Sequence, residues 1–311
     1  MYYSYSSWLK ERYGEKVYKL PVNLSVSCPN RQGNQKGCSF CSAQGTGFEA
    51  GWEPESVTGQ LQHVRQIVEK RYNAHKFIAY FQNYTNTYMP MELFQAYLAE
   101  ASEFPDVVEI SVSTRPDCIR MDYLQYMADL QKRTGIQINI ELGLQTVNYH
   151  TLDAIGRGHG LAEYIDAMLA IRRFPFTTCT HVIANLPGDT VRDAVETARI
   201  VSVLGTDIVK IHSLYIAKDS QMAEAYLAGQ MDICSKDEYF ERVRQMLENL
   251  DPSIAVERLF SRIPERDALF CNWQTSWWKL KDEFEAYMRS CDSYQGKYFD
   301  YRDGSALKGV F

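Results

Sequence analysis

The chain has 311 residues, 45% of them hydrophobic and 23% charged, with a formal net charge of −6 and an isoelectric point near 5.6. That length suits one large domain or two ordinary ones, and the composition excludes a disordered or low-complexity chain. Nowhere do 18 apolar residues follow one another and the first residues lack an apolar run of the signal-peptide kind, so a cytoplasmic protein without a membrane span is expected, and the acidic balance gives no general attraction to nucleic acid.

Short β-rich runs alternate with longer amphipathic ones. A first strand is expected over 16–26 (KVYKLPVNLSV), and it leads directly into a loop carrying Cys28, Cys38 and Cys41. A helix follows over 53–72, where Val57, Leu61, Val64, Ile67 and Val68 recur at helical spacing. Then come a strand at 76–82, a helix at 89–104 with Pro90 in its first turn, a strand at 106–114, a helix at 121–133 and a strand at 137–145. The series ends with a helix at 162–174, a strand at 178–187, a helix at 191–205 and a strand at 207–216. Strand and helix in alternation make an α/β fold with a parallel sheet and right-handed crossovers.

Polar residues recur at or just beyond the strand C-termini: Gln82 and Asn83, Arg115, Gln145, Asn185, and His212 with Tyr215. A barrel builds its site on that rim, whereas an open sheet concentrates it at one switch point. The expected architecture is a partial, TIM-like barrel of six β/α units over residues 1–230. Residues 231–311, with a helix at 235–251 and an aromatic-rich stretch at 255–288, form a mixed C-terminal extension packed on the barrel, because no Gly/Pro/Ser-rich linker precedes them.

Of eight cysteines, five (Cys118, Cys179, Cys234, Cys271 and Cys291) stand singly and read as ordinary buried or surface thiols. The three in the loop are grouped, and in a reducing compartment grouped cysteines are metal ligands or catalytic groups rather than disulfides. Three is one short of a structural zinc site. A [4Fe–4S] cluster ordinarily takes four thiolates, so three would leave one iron open to a small molecule. The two residues between Cys38 and Cys41 let both sulfurs reach neighbouring irons, Phe40 between them would shield the cluster, and Gly33 and Gly37 permit the tight backbone it needs.

The pattern C-x9-C-x2-C on the loop after the first strand resembles the radical S-adenosylmethionine (SAM) enzymes, its long first spacing being that of the elongator-type tRNA uridine-modifying branch. STRPD (113–117), ELGLQT (141–146), GRGH (156–159), NLPGDT (185–190), KIHSL (210–214) and ERLFSRIPERDALFCNW (257–273) further resemble the bacterial YtqA/YhcC-type group. The resemblance implies that Cys28, Cys38 and Cys41 hold a [4Fe–4S] cluster whose fourth iron is chelated by SAM. One electron then breaks a sulfonium C–S bond, giving methionine and a 5′-deoxyadenosyl radical that abstracts hydrogen from substrate; binding and orientation fall to the protein.

Residue by residue, the resemblance puts Gln82 or Asn83 against the SAM amino group, at a place where glycines often stand in relatives. Ser113 occupies the position of a SAM-touching Glu in the coproporphyrinogen-oxidase branch. Gln145 and Arg157 align with a Gln and an Arg on the ribose and carboxylate, a task that suits a guanidinium fork. His181 stands where a ribose-binding acid sits in some relatives, and Asn185, Leu186, Pro187 and Gly188 fall on the adenine motif. Pro187 and Gly188 fit equally well as a strand-to-helix turn capped by Asp189 or Thr190.

Tyr84, Thr85, Asn86, Arg115, His159, Lys210, His212 and Tyr215 are expected at the barrel mouth facing substrate, with Lys210, His212, Tyr84 and Arg115 the candidates for catalysis. Trp273, Trp277 and Trp278 are expected to dock the extension. The group resemblance implies a tRNA partner, with conversion of carboxymethylaminomethyl-uridine to aminomethyl-uridine at the wobble position, and an electron donor such as a flavodoxin or ferredoxin. Two other readings stay open on the residues alone: the same chemistry on a small metabolite or protein side chain, and a non-catalytic regulator whose cysteines hold zinc.

Overall fold

The computed structural model describes residues 1–33, 37–42 and 56–310; part of the cysteine loop and residues 53–55 of the helix expected over 53–72 lie outside the described residues. In chain order the elements are α1 (Tyr5–Tyr13), β1 (Val17–Val22), α2 (Val57–Tyr72), β2 (Lys76–Phe81), α3 (Met91–Ser102), β3 (Val107–Thr114), α4 (Met121–Thr134) and β4 (Gln137–Gln145). After these come α5 (Tyr149–Ala154), α6 (Leu161–Ile171), β5 (Thr177–Ile183), α7 (Val191–Val203), β6 (Ile208–His212), β7 (Ile216–Ala217), α8 (Gln221–Leu227), α9 (Lys236–Asn249), β8 (Ala255–Arg258), β9 (Ala268–Phe270) and α10 (Trp277–Ser290).

Seven strands form one parallel sheet in the order β1-β2-β3-β4-β5-β6-β8, and β7 pairs with β9 as a small antiparallel ribbon. The six expected strands are all present, and the seventh, β8, comes from beyond residue 231. The sheet curls until its two edges face each other. Lys19 of β1 meets Glu257 of β8 at 2.8 Å, and the Val256 backbone N–H donates to the carbonyl of Tyr3 ahead of α1.

Each strand sorts its side chains by the two-residue period of a pleated strand. Along β3, Ile110 and Val112 join the apolar layer shared with Phe94 and Leu98 of α3 and Leu124 and Met127 of α4. Glu109, Ser111 and Ser113 alternate with them and line the inside: Asn139 donates to Ser111 at 3.0 Å, Ser111 to Glu109 at 3.1 Å, and Ser113 to the Tyr80 hydroxyl at 3.3 Å. The main hydrophobic core thus lies between sheet and helices; inside the barrel a smaller apolar cluster joins Tyr5 and Leu9 of α1 to Val17, Ile78, Cys179, Ile208 and Ala255, and the rest of the interior is polar.

Local signals set the helix ends. Ser56 caps α2 by accepting from the Gly59 N–H, worth about 1 kcal/mol, and Gly135 ends α4 at φ 76°. Pro90 stands just outside α3 as its cap, one residue earlier than expected. Strand β5 stops at Ile183 rather than 187, where the chain turns toward α7.

Candidate active site

The cysteine loop leaves β1 under the control of α2: the Gln60 side chain accepts from the Asn23 N–H at 2.8 Å and donates to its carbonyl at 3.0 Å. Cys28 precedes a 3-10 turn over Pro29–Arg31, and a second turn, closed by the Cys41 N–H on the Cys38 carbonyl at 3.0 Å, swings those two thiols together. Ser39 ties that turn to both sides, donating to the Ile155 carbonyl after α5 and accepting from the Met222 N–H in α8, each at 2.9 Å. Cys28, Cys38 and Cys41 line one cavity at the C-terminal ends of the strands, where a β/α barrel places its chemistry.

Three donors converge on Cys38. The Cys41 thiol bonds to it, the Arg157 guanidinium donates from 3.5 Å and the Asn30 amide from 3.4 Å, so that its own thiol is held down to about 4 despite burial. Glycines make this packing possible. Gly158 has φ 76°, and a Cβ there would come 2.3 Å from the Asn30 side-chain oxygen; a Cβ on Gly143 would come 2.7 Å from Arg157 Nη2.

Most residues expected from the sequence stand on the cavity wall. Phe40, Gln82, Tyr84, Thr85, Ser113, Arg115, Gln145, Arg157, His181, Lys210, His212 and Tyr215 line it. Asn83, Asn86, Asn185 and Leu186 do not. Asn185 accepts from the Leu214 N–H at 2.6 Å and so holds a turn, Asn86 donates to the carbonyls of Phe81 and Ser113, and Leu186 packs with Ile183 and Leu214 in a separate apolar cluster. Arg115 is braced at the cavity wall: it forks onto Asp117 at 2.7 and 2.8 Å, donates to the Arg157 carbonyl at 2.9 Å and reaches the Cys28 sulfur at 3.9 Å. His159 lies within 3.2 Å of the Gly143 carbonyl, and burial with the charges of Arg157 and Arg115 pushes its imidazole down to about 4. Of the tryptophans, Trp273 packs on Tyr239 and donates to the Cys234 carbonyl at 2.9 Å, while Trp278 is exposed.

The floor of the cavity is an ion cluster that the sequence reading did not foresee. Glu141 of β4 binds Lys19 at 2.7 Å, His181 at 2.6 Å and Lys210 at 3.5 Å, and Lys210 also meets Glu257 at 3.1 Å and the Tyr80 hydroxyl at 3.1 Å. Burial alone would raise the Glu141 carboxyl; the two ammonium groups overcome that and hold it well below its ordinary range. His181 is pushed down by burial and is neutral. With its Nε2–H donated to Glu141, its other nitrogen is an acceptor. His212 stacks on it at 5.4 Å, also depressed by burial. The signal for this cluster was a single charge at an inward position of otherwise uncharged strands, as in VYKLPV and QINIELGLQ.

Glu141, Cys179 and His181 could by spacing alone hold a metal ion, but Lys19 and Lys210 already neutralise that carboxylate and disfavour a cation there.

Residues 22–201 match the model of the Radical SAM superfamily and residues 206–290 that of the Radical_SAM C-terminal domain. The chain is 33% identical over 300 residues to YtqA of Bacillus subtilis, covering 96% of this chain and 92% of that protein, and 32% identical over 282 residues to YhcC of Escherichia coli K12, covering 90% of each. Among solved structures, Elp3 of Methanocaldococcus infernus superposes with a TM-score of 0.69 at 16% identity, over 90% of this chain and 64% of that one, a likeness of fold. The superfamily uses a [4Fe–4S] cluster and SAM, and the residues present fit both. Three thiols share one cavity, the donors around Cys38 favour its thiolate, and the Arg157 Nε, buried without a partner among the described residues, is a spare donor beside them. With its superfamily model spanning more than half its length and relatives aligned nearly end to end, the chain belongs to the radical SAM superfamily of enzymes.

Proposed function

We propose that Cys28, Cys38 and Cys41 hold the cluster, that SAM lies between them and the ends of β3 to β5, and that the substrate is the side chain of the wobble uridine in tRNA, converted from carboxymethylaminomethyl-uridine to aminomethyl-uridine. When bound, the cluster and SAM would supply reductive cleavage of a sulfonium C–S bond, abstraction of one hydrogen atom to give 5′-deoxyadenosine, and acceptance of the second electron, so that with one water the carboxymethyl group leaves as glyoxylate. The chain's own residues bind and orient. Arg157 and Gln145 suit the SAM carboxylate and ribose, Phe40 keeps water from the thiolates, and a flavodoxin or ferredoxin is the fitting class of electron donor.

One observation carries the substrate reading: the wall beneath the thiols carries charges of both signs, Glu141 with Lys210 in one buried cluster and the half-buried Arg258 on the same wall. A side chain with an ammonium flanked by a carboxylate is complementary to a wall that carries both signs. The resemblance to the YtqA/YhcC-type group supports the same target. A base handled in this way has to be splayed out of its loop.

Two measurements test the proposal. Anaerobic reconstitution is expected to load roughly four irons per chain and to give SAM cleavage under dithionite, both lost in Cys28→Ala, Cys38→Ala and Cys41→Ala. Nucleoside mass spectrometry of tRNA from cells lacking the gene is expected to show carboxymethylaminomethyl-uridine accumulating. An unchanged wobble-uridine profile would rule out this substrate while leaving the SAM chemistry standing.

A further inference from the structure

Side-chain nitrogens gather on two of the three cysteine sulfurs from a single turn. That turn, 156–158, lies between α5 and α6, and Gly156 and Gly158 take φ of 61° and 76° in it, so that the carbonyls of Gly156 and Arg157 face the cysteine loop. The Asn30 amide donates to those two carbonyls at 2.6 and 3.1 Å and to the Cys38 sulfur at 3.4 Å. Arg115 donates to the Arg157 carbonyl at 2.9 Å, and the same nitrogen, Nη1, reaches the Cys28 sulfur at 3.9 Å. Arg157 rests its Nη2 on the Gly143 carbonyl at 2.7 Å and turns Nη1 to the Cys38 sulfur at 3.5 Å. Each donor is thus held by a backbone carbonyl as well as by sulfur, and its place does not depend on what the sulfur binds.

The three donors differ in charge. Asn30 is neutral. The Arg115 guanidinium is forked onto Asp117, which cancels most of its field. Arg157 meets no carboxylate at ion-pair distance among the described residues, and Asp117, which also feels its charge, is taken up by Arg115. At 6% exposure Arg157 is screened little by water. The reduction potential of an iron–sulfur cluster is set in part by hydrogen bonds to its sulfurs and by the charge around it. An added electron puts more negative charge on those sulfurs, so an N–H donor or a cation beside them stabilises the reduced form more than the oxidised one. The potential rises, most of all for a buried guanidinium, because a charge-assisted hydrogen bond is roughly twice as strong as a neutral one.

We propose that the 156–158 turn is a redox-tuning hub: Arg157 on the turn, with Asn30 and Arg115 hung from its carbonyls, holds the reduction potential of the cluster up through N–H···S bonds to Cys38 and Cys28, Arg157 contributing most. The step concerned is the transfer of one electron from the flavodoxin or ferredoxin class of donor to the cluster, in which no bond breaks and no proton moves. The inference rests on Cys28, Cys38 and Cys41 holding the cluster and is independent of the RNA reading.

The test uses the full-length chain, reconstituted anaerobically and taken through a mediated redox titration without SAM, the reduced cluster being followed by electron paramagnetic resonance. At a fixed poise, Arg157→Gln is expected to lower the ratio of reduced to oxidised cluster about tenfold, a downward shift of about 59 mV for one electron. Asn30→Ala and Arg115→Gln are each expected to lower it about threefold, a neutral or carboxylate-paired donor being worth roughly half as much. Arg157→Lys, which keeps the charge, is expected to recover most of the loss. For any variant that loads poorly the decision passes to wild-type protein carrying nitrogen-15 arginine, whose reduced cluster is expected to show an arginine nitrogen coupling in pulsed measurements. If the wild-type chain takes up no cluster, the cysteine assignment falls and this inference with it. If the cluster loads but the variants titrate at the wild-type potential, or the labelled protein shows no arginine coupling, the tuning role alone is overturned.

Discussion

At the scale of single residues, the site is held by close approaches rather than by many bonds. Gly143 shows this. Its carbonyl accepts from Arg157 at 2.7 Å, and a Cβ in its place would meet Arg157 Nη2 at 2.7 Å and Gln145 Nε2 at 2.8 Å. Both opposing atoms are side-chain ends, so Gly143→Ala can fold by pushing them aside. The cost falls on function, because the displaced guanidinium is the one aimed at Cys38. The variant is expected to keep its melting temperature within about 4 °C, the shift given by roughly 1 kcal/mol in a chain of this size. Its SAM cleavage rate is expected to fall on the order of a hundredfold, as for an ångström of misplacement. Cleavage at the wild-type rate would show that the Arg157 position is not critical. The sequence pointed to Arg157 and Gln145, both on the cavity wall, but not to Gly143, since a glycine inside a strand announces a close approach without saying what approaches. It also placed Asn83, Asn185 and Leu186 on the wall although each sits in a turn, where one residue of displacement turns a side chain away from the cavity.

At the scale of elements, β8 is the piece that completes the interior. It is four residues long, with Ala255 and Val256 buried in the apolar layers and Glu257 reaching in to Lys19 and Lys210. Six strands were legible because each is an apolar run of some length in an alternation with helical periods; β8 is only four residues long, and although Asp251-Pro252-Ser253 turn the chain before it, no helical period follows it directly. Its membership is decided by pairing with β6 and by charge, both of which are tertiary. The Glu257 carboxyl, raised by burial but lowered more by Lys19 and Lys210, is held down to about 2. A carboxylate depressed from its ordinary 4.5 contributes stability that is fully present above about pH 4.5 and is lost as pH falls toward 2. Glu257→Leu leaves two buried ammonium groups facing Glu141 alone, and is expected to lower unfolding free energy by about 3–5 kcal/mol at pH 7. Urea denaturation at pH 7 and pH 3 checks this: the gap between wild type and variant is expected to narrow at the lower pH, and a gap of constant size would show that the ion cluster is not its source.

At the scale of the whole molecule, the division at residue 230 separates a barrel from an extension in sequence but not in packing. One apolar cluster takes in Ala198 and Val201 of α7, Tyr239, Val243, Met246 and Leu247 of α9, Val256 of β8, and Leu280, Phe284 and Met288 of α10. The first residues of the chain are fastened to the last elements as well: the Tyr2 hydroxyl donates to Glu285 at 3.1 Å, and the Tyr3 N–H to the Gln295 side chain at 2.9 Å. A fragment of residues 1–230 would keep six strands, yet it would bare the α7 face that α9 covers and open the β6 edge to pairing with other chains. Each fully buried large side chain lost from the interface removes about 1.5–3 kcal/mol, so losing Tyr239, Leu247 and Phe284 together exceeds half the stability of an ordinary domain. The fragment is therefore expected to accumulate as insoluble protein, or to be cut by protease throughout its helices, whereas the full chain resists. Recovery of a soluble 1–230 fragment with a cooperative thermal transition would show instead that the barrel folds unaided.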